Sequence, residues 1–241
     1  MFTPSGPTFW ELAEQALSST ERGYDLLAPK FDATPFCTPS ALLDACERYL
    51  SADPRPGHSL DVCCGTGAGL AMLRRVTRTS VTGLDFSRNM LEQARQRVVD
   101  MDDVVLIRAD ARRLDELPEL QQRFDCVTCF GALGHIRGHE SKRFLEGLFG
   151  CLVPGGRLVL VTFNHPPVAS LSWLAAHAYN ALTRARNLLI KPAFHMYYLS
   201  FTWPLLGQQL RGAGFRVDTP SVQFAAPFQS ARLVIATRPS A

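Results

Sequence analysis

From residue 59 onward, short apolar runs alternate with segments in which apolar residues recur at helical spacing. Five runs rich in Val, Ile and Leu predict buried strands at 59–63, 80–84, 104–108, 124–130 and 157–163. Helical spacing between them predicts helices at 68–76, 88–99 and 140–152. Strands that alternate with helices are typical of a parallel sheet covered on both faces. The pattern therefore predicts an α/β fold.

The end of the chain departs from this alternation. A last helix is predicted over 203–212 and ends at Gly212-Ala213-Gly214, since glycine commonly follows a helix C-terminus. Two further strands, 215–219 and 231–237, follow without a helix between them. Parallel neighbours need a long crossover, so this final pair is predicted to be antiparallel. We therefore expect a seven-stranded, mostly parallel sheet with an antiparallel last strand.

Two segments lie outside the alternation, and we expect both to be parts of a single domain over 1–241. Residues 1–55 are predicted to form an N-terminal helical cap, with helices around 9–17 and from Thr38-Pro39-Ser40 onward. Between these helices, Tyr24–Asp32 is either a packed connector or a flap over a neighbouring site. Residues 165–202 form an insertion that is far longer than an ordinary connection between a strand and a helix.

The insertion at 165–202 follows the fifth strand and so begins at the carboxyl edge of the sheet, where a cover over a substrate would lie. Its stripe of apolar and aromatic residues also fits a packed core. A helix at a membrane surface is a third possibility, since Trp173 and Leu174 stand near Arg184 and Arg186. We favour the substrate cover and expect it to supply acceptor-binding residues: Trp173, His195, Tyr197 and Tyr198.

Composition narrows the function classes. The net charge of +3 is too small to indicate a nucleic-acid partner, and all but three of the 25 basic residues are arginine, as in proteins from GC-rich bacterial genomes. The sequence lacks a run of apolar residues long enough to span a membrane and the pattern of a signal peptide, so we expect a cytoplasmic protein without stable membrane insertion. Cys126 and Cys129 point to opposite faces of a predicted strand, and no residue cluster has metal-ligand spacing, so we expect no metal.

Four strand ends carry groups suited to a ligand. Asp61 closes the first strand and precedes a loop with Gly65 and Gly67, where the backbone can approach a ligand closely and helix N–H groups face it. Asp85 ends the second strand about 20 residues further on, where an acid binds ribose hydroxyls. Asp110 follows the third strand, and Phe130 ends the fourth. In a doubly wound sheet, ligands lie across these carboxyl ends.

The loop favours one kind of nucleotide over another. A dinucleotide fingerprint needs a small residue three positions after the second glycine, where this chain has Leu70. Asp61 at the base of the loop would repel a pyrophosphate but suits a cationic ammonium. The site therefore favours an adenosine that carries an amino acid over NAD.

In these motifs the sequence resembles class I S-adenosylmethionine-dependent methyltransferases, whose fold is Rossmann-like. The resemblance covers roughly residues 22–238 and rests on ordered motifs at similar spacing: Leu60–Gly67, Leu84–Ser87 with Met90-Leu91, Ala109–Ala111, Phe124–Val127, Leu152–Leu158 and Ala213–Phe215. One departure is Cys63, where many family members have the first glycine, and it implies a tighter or shifted loop.

The resemblance implies S-adenosyl-L-methionine as cofactor and a role for each matching residue. Asp61 and the loop residues Gly65, Thr66 and Gly67 would hold the methionine end. The remaining cofactor residues are Asp85 at the ribose, Phe86 and Met90 at the adenine, Asp110 and Ala111 at its amino group, Tyr24 near the cofactor carboxylate, and Phe130 as apolar surface.

The expected function is methyl transfer to a small, largely apolar organic acceptor, such as a bacterial secondary metabolite, by a monomer or homodimer. Two alternatives are a quinone-ring C-methyltransferase, because Asp61–Gly67 and Leu84–Ser87 resemble the ubiquinone and menaquinone enzymes, and a cofactor-binding module without methyl transfer. A general base is needed only if the acceptor carries a proton of high pKa. His135, after the fourth strand, and His165, after the fifth, are the candidates for that base.

Overall fold

A computed structural model describes residues 6–52 and 54–240, so residues 1–5 and Asp53 of the predicted N-terminal cap lie outside the described part. One seven-stranded sheet has the order β3-β2-β1-β4-β5-β7-β6. The strands are β1 (His58–Val62), β2 (Ser80–Asp85), β3 (Val104–Arg108), β4 (Phe124–Thr128), β5 (Leu152–Phe163), β6 (Arg216–Asp218) and β7 (Ala231–Thr237). The α-helices are α1 (Phe9–Leu17), α2 (Thr20–Leu27), α3 (Ser40–Leu50), α4 (Ala68–Val76), α5 (Arg88–Arg97), α6 (Ser141–Cys151), α7 (Leu171–Leu189) and α8 (Leu205–Gly212).

The sheet confirms the predicted fold class. Strands β1 to β5 run parallel to one another, and β7 is antiparallel to both β5 and β6. Strand order reverses at β1 and β4, since the chain adds β2 and β3 on one side of β1 and later returns to the other side. A crevice at the carboxyl ends of β1 and β4 is where such sheets bind ligands.

Helices cover both faces of the sheet because each face is apolar. One buried cluster packs α6 and α8 against the sheet and includes Phe144, Leu148 and Leu210. The other packs α3 and α4 on the opposite face and includes Leu50 and Leu73. Among the described residues, no helix has the length and hydrophobicity needed to cross a bilayer.

The start of β5 corrects one sequence interpretation. The strand predicted to start at residue 157 already begins at Leu152 and includes Pro154-Gly155-Gly156. The pairing passes from Phe124 with Leu152 to Cys126 with Arg157, so β5 accommodates extra residues as a bulge. Gly155 permits this because its φ is +81°. Glycine and proline thus mark an irregularity inside the strand.

Helix α2 is one of two α-helices that the hydrophobic pattern did not predict, the other being the longer α7 inside the insertion at 165–202. Tyr24–Asp32 was predicted as a connector or flap, yet Thr20–Leu27 is helical and a 3-10 helix continues over Ala28–Ala33. Ser19 caps this helix by accepting a hydrogen bond from the Arg22 backbone N–H at 3.1 Å. The helix is short and has only two buried residues, Gly23 and Leu27, so its apolar stripe is too narrow to detect.

Candidate functional site

A cavity of about 360 Å³ opens at the carboxyl edge of the sheet. Its floor consists of the loops after β1, β2 and β4, and its roof consists of α2 and residues 193–195. The structure brings together twelve residues singled out from the sequence: Tyr24, Asp61, Gly65, Thr66, Asp85, Phe86, Met90, Asp110, Ala111, Phe130, His135 and His195. Gly67 lies beside this cavity and packs instead against α5, since a Cβ there would lie 3.2 Å from Ala94.

The glycine-rich loop keeps a left-handed backbone at three positions. Cys63, Gly65 and Gly67 have φ values of +58°, +53° and +86°. A non-glycine residue in this conformation costs about 1–2 kcal/mol, which explains a preference for glycine at the position of Cys63. The loop holds this conformation at Cys63 despite the side chain. A further glycine that the sequence reasoning passed over, Gly69, leaves room for Asp61, because its Cβ would lie 2.6 Å from Asp61 Oδ2.

Asp61 is a buried carboxylate at the base of the loop. Its side chain is 2% exposed, and Thr128 donates a hydrogen bond to Oδ1 at 2.6 Å. No hydrogen bond from the described residues reaches Oδ2. Burial raises the pKa of Asp61 to about 7, against the effect of the Thr128 hydrogen bond and with a smaller contribution from Asp85. A cation placed at Oδ2 would relieve this cost.

Asp85 lies at the end of β2 and organises two turns. Its Oδ2 accepts from the Gly65 backbone N–H and its Oδ1 from the Ser87 backbone N–H, both at 2.9 Å. Burial raises its pKa to about 6, although these backbone hydrogen bonds lower it. Each oxygen retains a lone pair for a further donor such as a ribose hydroxyl.

The base candidate His135 is fixed between a tyrosine and a carbonyl group. Its Nε2 lies 2.7 Å from the Tyr24 hydroxyl, and its Nδ1 forms a short hydrogen bond with the His195 carbonyl oxygen. A carbonyl can only accept, so Nδ1 carries the proton and Nε2 accepts from the Tyr24 O–H. Burial lowers the pKa of His135 below 6.5, and burial also raises the pKa of Tyr24. Both groups are therefore neutral near pH 7.

An arginine and carboxylate network closes another side of the cavity. Arg112 holds Asp110 with its Nε at 2.9 Å and its Nη2 at 2.6 Å, and the backbone N–H of Arg112 donates to the same carboxylate. Glu140 pairs with Arg137 at 2.7 Å and lies 3.7 Å from Arg112. The Arg112 hydrogen bonds lower the pKa of Asp110 although its partial burial opposes them. Asp110 is thus an ionised acceptor at the cavity wall.

The sequence left a packed connector and a flap as alternatives for Tyr24–Asp32. Helix α2 and the 3-10 helix after it fit the flap, because residues of both line the cavity. Asp25 accepts from the Ser87 hydroxyl at 2.6 Å and from the Asn89 backbone N–H at 3.0 Å. Asp32 accepts from the Thr66 hydroxyl at 2.6 Å and pairs with Arg97. These two aspartates fasten the segment to the loops below it. The hydrophobic pattern missed them because the side chains they bind lie far away in the sequence.

Residues 60–156 match a family model described as a methyltransferase domain. A demethylmenaquinone methyltransferase from Clavibacter sepedonicus is 34% identical over 167 residues, which cover 65% of this chain and 64% of that protein. A demethylmenaquinone methyltransferase from Staphylococcus aureus (strain MRSA252) is 37% identical over 110 residues, which cover 45% and 44%. The chain therefore spans less than two thirds of the length of these relatives.

Solved structures share the fold at low identity. An O-methyltransferase family protein from Burkholderia thailandensis superposes with a TM-score of 0.66 at 16% identity, covering 96% of this chain and 68% of the other. The DhpI–SAH complex superposes with a TM-score of 0.65 at 22% identity, covering 97% and 99%. These likenesses show the fold, which this chain shares with an O-methyltransferase family protein and with a protein solved with bound S-adenosylhomocysteine. The family match identifies residues 60–156 as a methyltransferase domain.

The cavity of this methyltransferase domain fits its cofactor in charge and shape. The cofactor has an ammonium and a sulfonium group, and the buried carboxylate of Asp61 offers an oxygen without a protein donor among the described residues. A Cβ on Gly65 would meet no atom within 4 Å, so the backbone there borders open space. Apolar walls for an adenine come from Phe86 and Met90.

Besides Gly67, four of the sequence-predicted residues do not line the cavity. His165 is exposed, and its Nδ1 bonds the Thr202 hydroxyl at 3.0 Å, because β5 runs past the cavity edge before it ends. Trp173 stacks on His177 with ring centroids 4.0 Å apart, and Tyr198 packs on Tyr179 at 4.9 Å. Tyr197 binds Asn187 through its hydroxyl at 3.3 Å.

These placements change the interpretation of the insertion at 165–202. Its long helix α7 does not line the cavity, and only the loop after that helix does so, through Ala193 and His195. The apolar and aromatic stripe around Trp173 left a packed core, a substrate cover and a surface helix open, and it could not tell which residues meet the protein. The part of the insertion that lies over the cavity is therefore the loop after α7, and α7 holds this loop in place.

Proposed function

We propose that this methyltransferase domain transfers the methyl group of S-adenosylmethionine to a small, largely apolar organic acceptor that carries an ionisable hydroxyl group. The observation that carries the proposal is the convergence of Asp61, Asp85 and Asp110 with the Tyr24–His135 pair in one cavity. When bound, the cofactor supplies an electrophilic methyl group on a sulfonium. The residues of the chain then align the acceptor, exclude water and receive a proton.

In this proposal the strand ends divide the binding of the cofactor. Asp61 accepts from the ammonium of the methionine end, beside the backbone of Gly65 and the hydroxyl of Thr66. Asp85 accepts from the ribose hydroxyls, and Asp110 with the backbone of Ala111 binds the adenine amino group. Gly67 supports the loop through its packing on α5.

The hydrogen-bond order at His135 supports a defined proton path. The hydroxyl proton of the acceptor moves to the oxygen of Tyr24 while the proton of Tyr24 moves to Nε2 of His135. His135 then holds two protons, and its Nδ1–H stays bound to the carbonyl of His195. The acceptor becomes an oxyanion, whose oxygen or conjugated carbon attacks the methyl group.

The acceptor end of the cavity supports an aromatic or otherwise apolar molecule with one polar contact. Phe31, Phe36, Phe130 and Ile136 supply apolar surface. Nδ1 of His195 is buried without a hydrogen-bond partner among the described residues. Burial and the charge of Arg137 lower the pKa of His195, so the neutral imidazole suits a polar group of the acceptor.

The two curated relatives favour one acceptor class. Both are named demethylmenaquinone methyltransferases, which supports a reduced quinone ring with a methylation site on carbon. The proton path serves this reaction too, since loss of the ring hydroxyl proton makes the ring carbon nucleophilic, and the proton on the methylated carbon then moves to the ring oxygen to restore the aromatic ring. A small hydroxylated aromatic acceptor that is methylated on oxygen is the other candidate, and product analysis distinguishes them.

The first experiment is isothermal titration with S-adenosylhomocysteine, with NAD as control. We expect saturable binding of S-adenosylhomocysteine and none of NAD. Asp85→Ala should weaken that binding at least about tenfold, because hydrogen bonds to a charged group contribute about 1.5–3 kcal/mol each. Unchanged affinity would remove Asp85 from the ribose site. Binding of NAD alone would contradict the proposal, and binding without turnover on quinol and phenol acceptors would favour a binding module.

The second experiment tests the base. Tyr24→Phe and His135→Asn should each lower kcat by about 10²–10⁴-fold, and the double variant should lose little more, because both residues serve one proton path. The kcat/KM of the wild type should fall at acidic pH with an apparent pKa below 6.5. His165→Asn is the matched control, since that histidine lies outside the cavity. A small loss that does not depend on pH would leave His135 as a packing residue.

A further inference from the structure

An ordinary surface helix buries its apolar side, but helix α7 buries polar residues and exposes leucines. Its inward side is polar, and Asn180 and Thr183 are its buried residues. Its exposed residues are mostly leucine and alanine, with Ser172, His177 and Arg184 among them. We define the α7 outer face by its leucines, whose exposed fractions are 85% for Leu171, 51% for Leu174, 71% for Leu182, 83% for Leu188 and 86% for Leu189.

The polar inward side has a structural use. Asn180 exchanges two hydrogen bonds with the backbone of Tyr198, at 2.9 and 3.0 Å. About two turns further on, Asn187 exchanges two with the backbone of Phe194, at 2.8 and 2.9 Å. The cavity loop is thus held by asparagines. These hydrogen bonds lie on the inward side of α7 and leave the leucines of the α7 outer face exposed. An exposed apolar patch of this kind is typical of a surface that binds a partner.

The N-terminal helix extends the apolar surface. Arg186 joins α7 to α1 by donating to the carbonyls of Ala16 and Ser18, each at 2.9 Å. Beside this junction, α1 exposes Trp10 by 78% and Leu17 by 55%, and both line a shallow groove with Pro192. Tryptophan on such a surface is typical of interfacial helices.

The charged side chains along α7 have one sign. The helix carries Arg184 and Arg186 and no acidic residue, and Arg184 is exposed. Lys191 is exposed just beyond the end of the helix. The groove beside α1 also contains Glu14, so the lack of carboxylates is a property of α7. An apolar helix face flanked by cations complements an anionic surface.

We propose that the α7 outer face, together with Trp10 and Leu17, docks onto a bilayer that contains anionic phospholipid. Helix α7 would lie in the plane of the interface, with its leucines in the acyl boundary and its cations at the headgroups. A second copy of the chain fits less well, because a two-fold interface between α7 outer faces would bring both copies of Arg184 and Lys191 to one contact, and α7 has no acidic side chain to pair with them. Docking would bring an apolar acceptor to the protein directly from the membrane.

The test measures binding of the full chain to sucrose-loaded vesicles by co-sedimentation. Vesicles of 70% phosphatidylcholine and 30% phosphatidylglycerol should bind the protein at least about tenfold more strongly than vesicles of pure phosphatidylcholine. Salt at 0.5 M should remove this difference. Leu188→Glu with Leu189→Glu should reduce binding at least about tenfold. Val99→Glu with Val105→Glu is the matched control, because those valines are 73% and 52% exposed on other elements.

Two further measurements decide between occupants. Titration with S-adenosylhomocysteine should give the same affinity in the leucine variant, because the α7 outer face lies outside the cavity, and this result would also establish that the variant folds. Light scattering should show no change of oligomeric state. Equal binding to both kinds of vesicle, or no binding to either, would overturn the proposal. A dimer that the leucine variant dissociates, without vesicle binding, would assign the face to a second copy.

Discussion

At the scale of single residues, Asp61 carries the clearest electrostatic cost in the cavity. The carboxylate is 2% exposed, and burial raises its pKa from 3.8 to about 7. Its one hydrogen bond, from Thr128, compensates only part of this cost. The same burial that destabilises the isolated charge makes the site selective for a cation, because a positive group there is attracted in a medium of low polarity.

The pKa of Asp61 leads to a prediction about stability. An acid whose pKa is higher in the folded state binds protons more tightly there, so the free energy of unfolding falls as pH rises from about 4 toward about 7. Asp61→Asn should remove this part of the pH dependence and raise stability at pH 8 by on the order of 1–3 kcal/mol. Thermal unfolding of both proteins at pH 5 and pH 8 measures it.

The same variant should lose affinity for S-adenosylmethionine, because asparagine cannot neutralise an ammonium. S-adenosylhomocysteine keeps the ammonium and serves as the stable probe. Parallel pH slopes for the two proteins would mean that Asp61 remains ionised without cost. That result would contradict both the burial argument and the predicted gain at pH 8.

Among residues, the sequence brought the three carboxylates to one edge of the sheet because each ends or follows an apolar strand. Asp61, Asp85 and Asp110 were identified by this position alone, and all three line the cavity. The histidines were harder to place. His135 and His165 both follow a strand, but only His135 reaches the cavity, since β5 extends to Phe163 and directs the following residue away. Strand length decided between them.

At the scale of elements, α2 is the piece on which the roof of the cavity depends. It places Tyr24 above His135, and Asp25 ties it to the start of α5. The carboxylate of Asp25 also accepts from the backbone N–H of Asn89 in the first turn of α5. It therefore serves as a supplementary cap from another helix, at the end where a negative charge is favourable.

Asp25→Ala should therefore loosen α2 and weaken α5 together. We expect a loss of about 1 kcal/mol in the free energy of unfolding, as for removal of a helix cap. The affinity for S-adenosylhomocysteine should also fall, because Tyr24 loses its support. Denaturant unfolding and calorimetric titration measure the two effects. Glu92→Ala is a suitable control, since Glu92 pairs only with Arg95 on the surface of the same helix. Equal effects in the two variants would contradict the role of Asp25.

Element prediction succeeded where apolar residues face the core with a regular period, and it failed for the short helix α2 and for α7, whose buried residues are polar. The bounds of α1, α4, β3 and β7 agree with the pattern residue for residue. Helix α2 escaped because it buries only Gly23 and Leu27. The bulge in β5 escaped because its glycines also fit a turn, and only pairing with β4 distinguishes the two.

At the scale of the whole molecule, the insertion joins parts that are distant in the sequence. Gly134, in the loop after β4, accepts from the backbone N–H of Tyr197 at 2.8 Å, and His195 donates its backbone N–H to Thr20 of α2 at 2.8 Å. Residues 193–198 thus connect the base candidate, the flap and α7. The two asparagines on the inner side of α7 hold this loop in position.

Asn187→Ala should disturb this connection without touching the cofactor end. Two backbone groups of Phe194 lose their partner, and buried unpaired groups cost about 1–3 kcal/mol each. We expect a raised KM for the acceptor and an almost unchanged affinity for S-adenosylhomocysteine. Steady-state kinetics with calorimetric titration separates these quantities. A parallel loss of cofactor affinity would mean that the loop supports the whole cavity.

The sequence by itself determined the order of strands and helices, the cofactor class and the three carboxylates, because these depend on local periodicity and on motifs that are contiguous along the chain. The tertiary structure decided what depends on contacts between distant residues. It brought His135 but not His165 to the cavity, and it placed α2 over the cavity. It also turned the leucines of α7 outward. Helical spacing states that one side of a helix differs from the other. Which side meets the protein is decided only by the neighbours that the fold supplies.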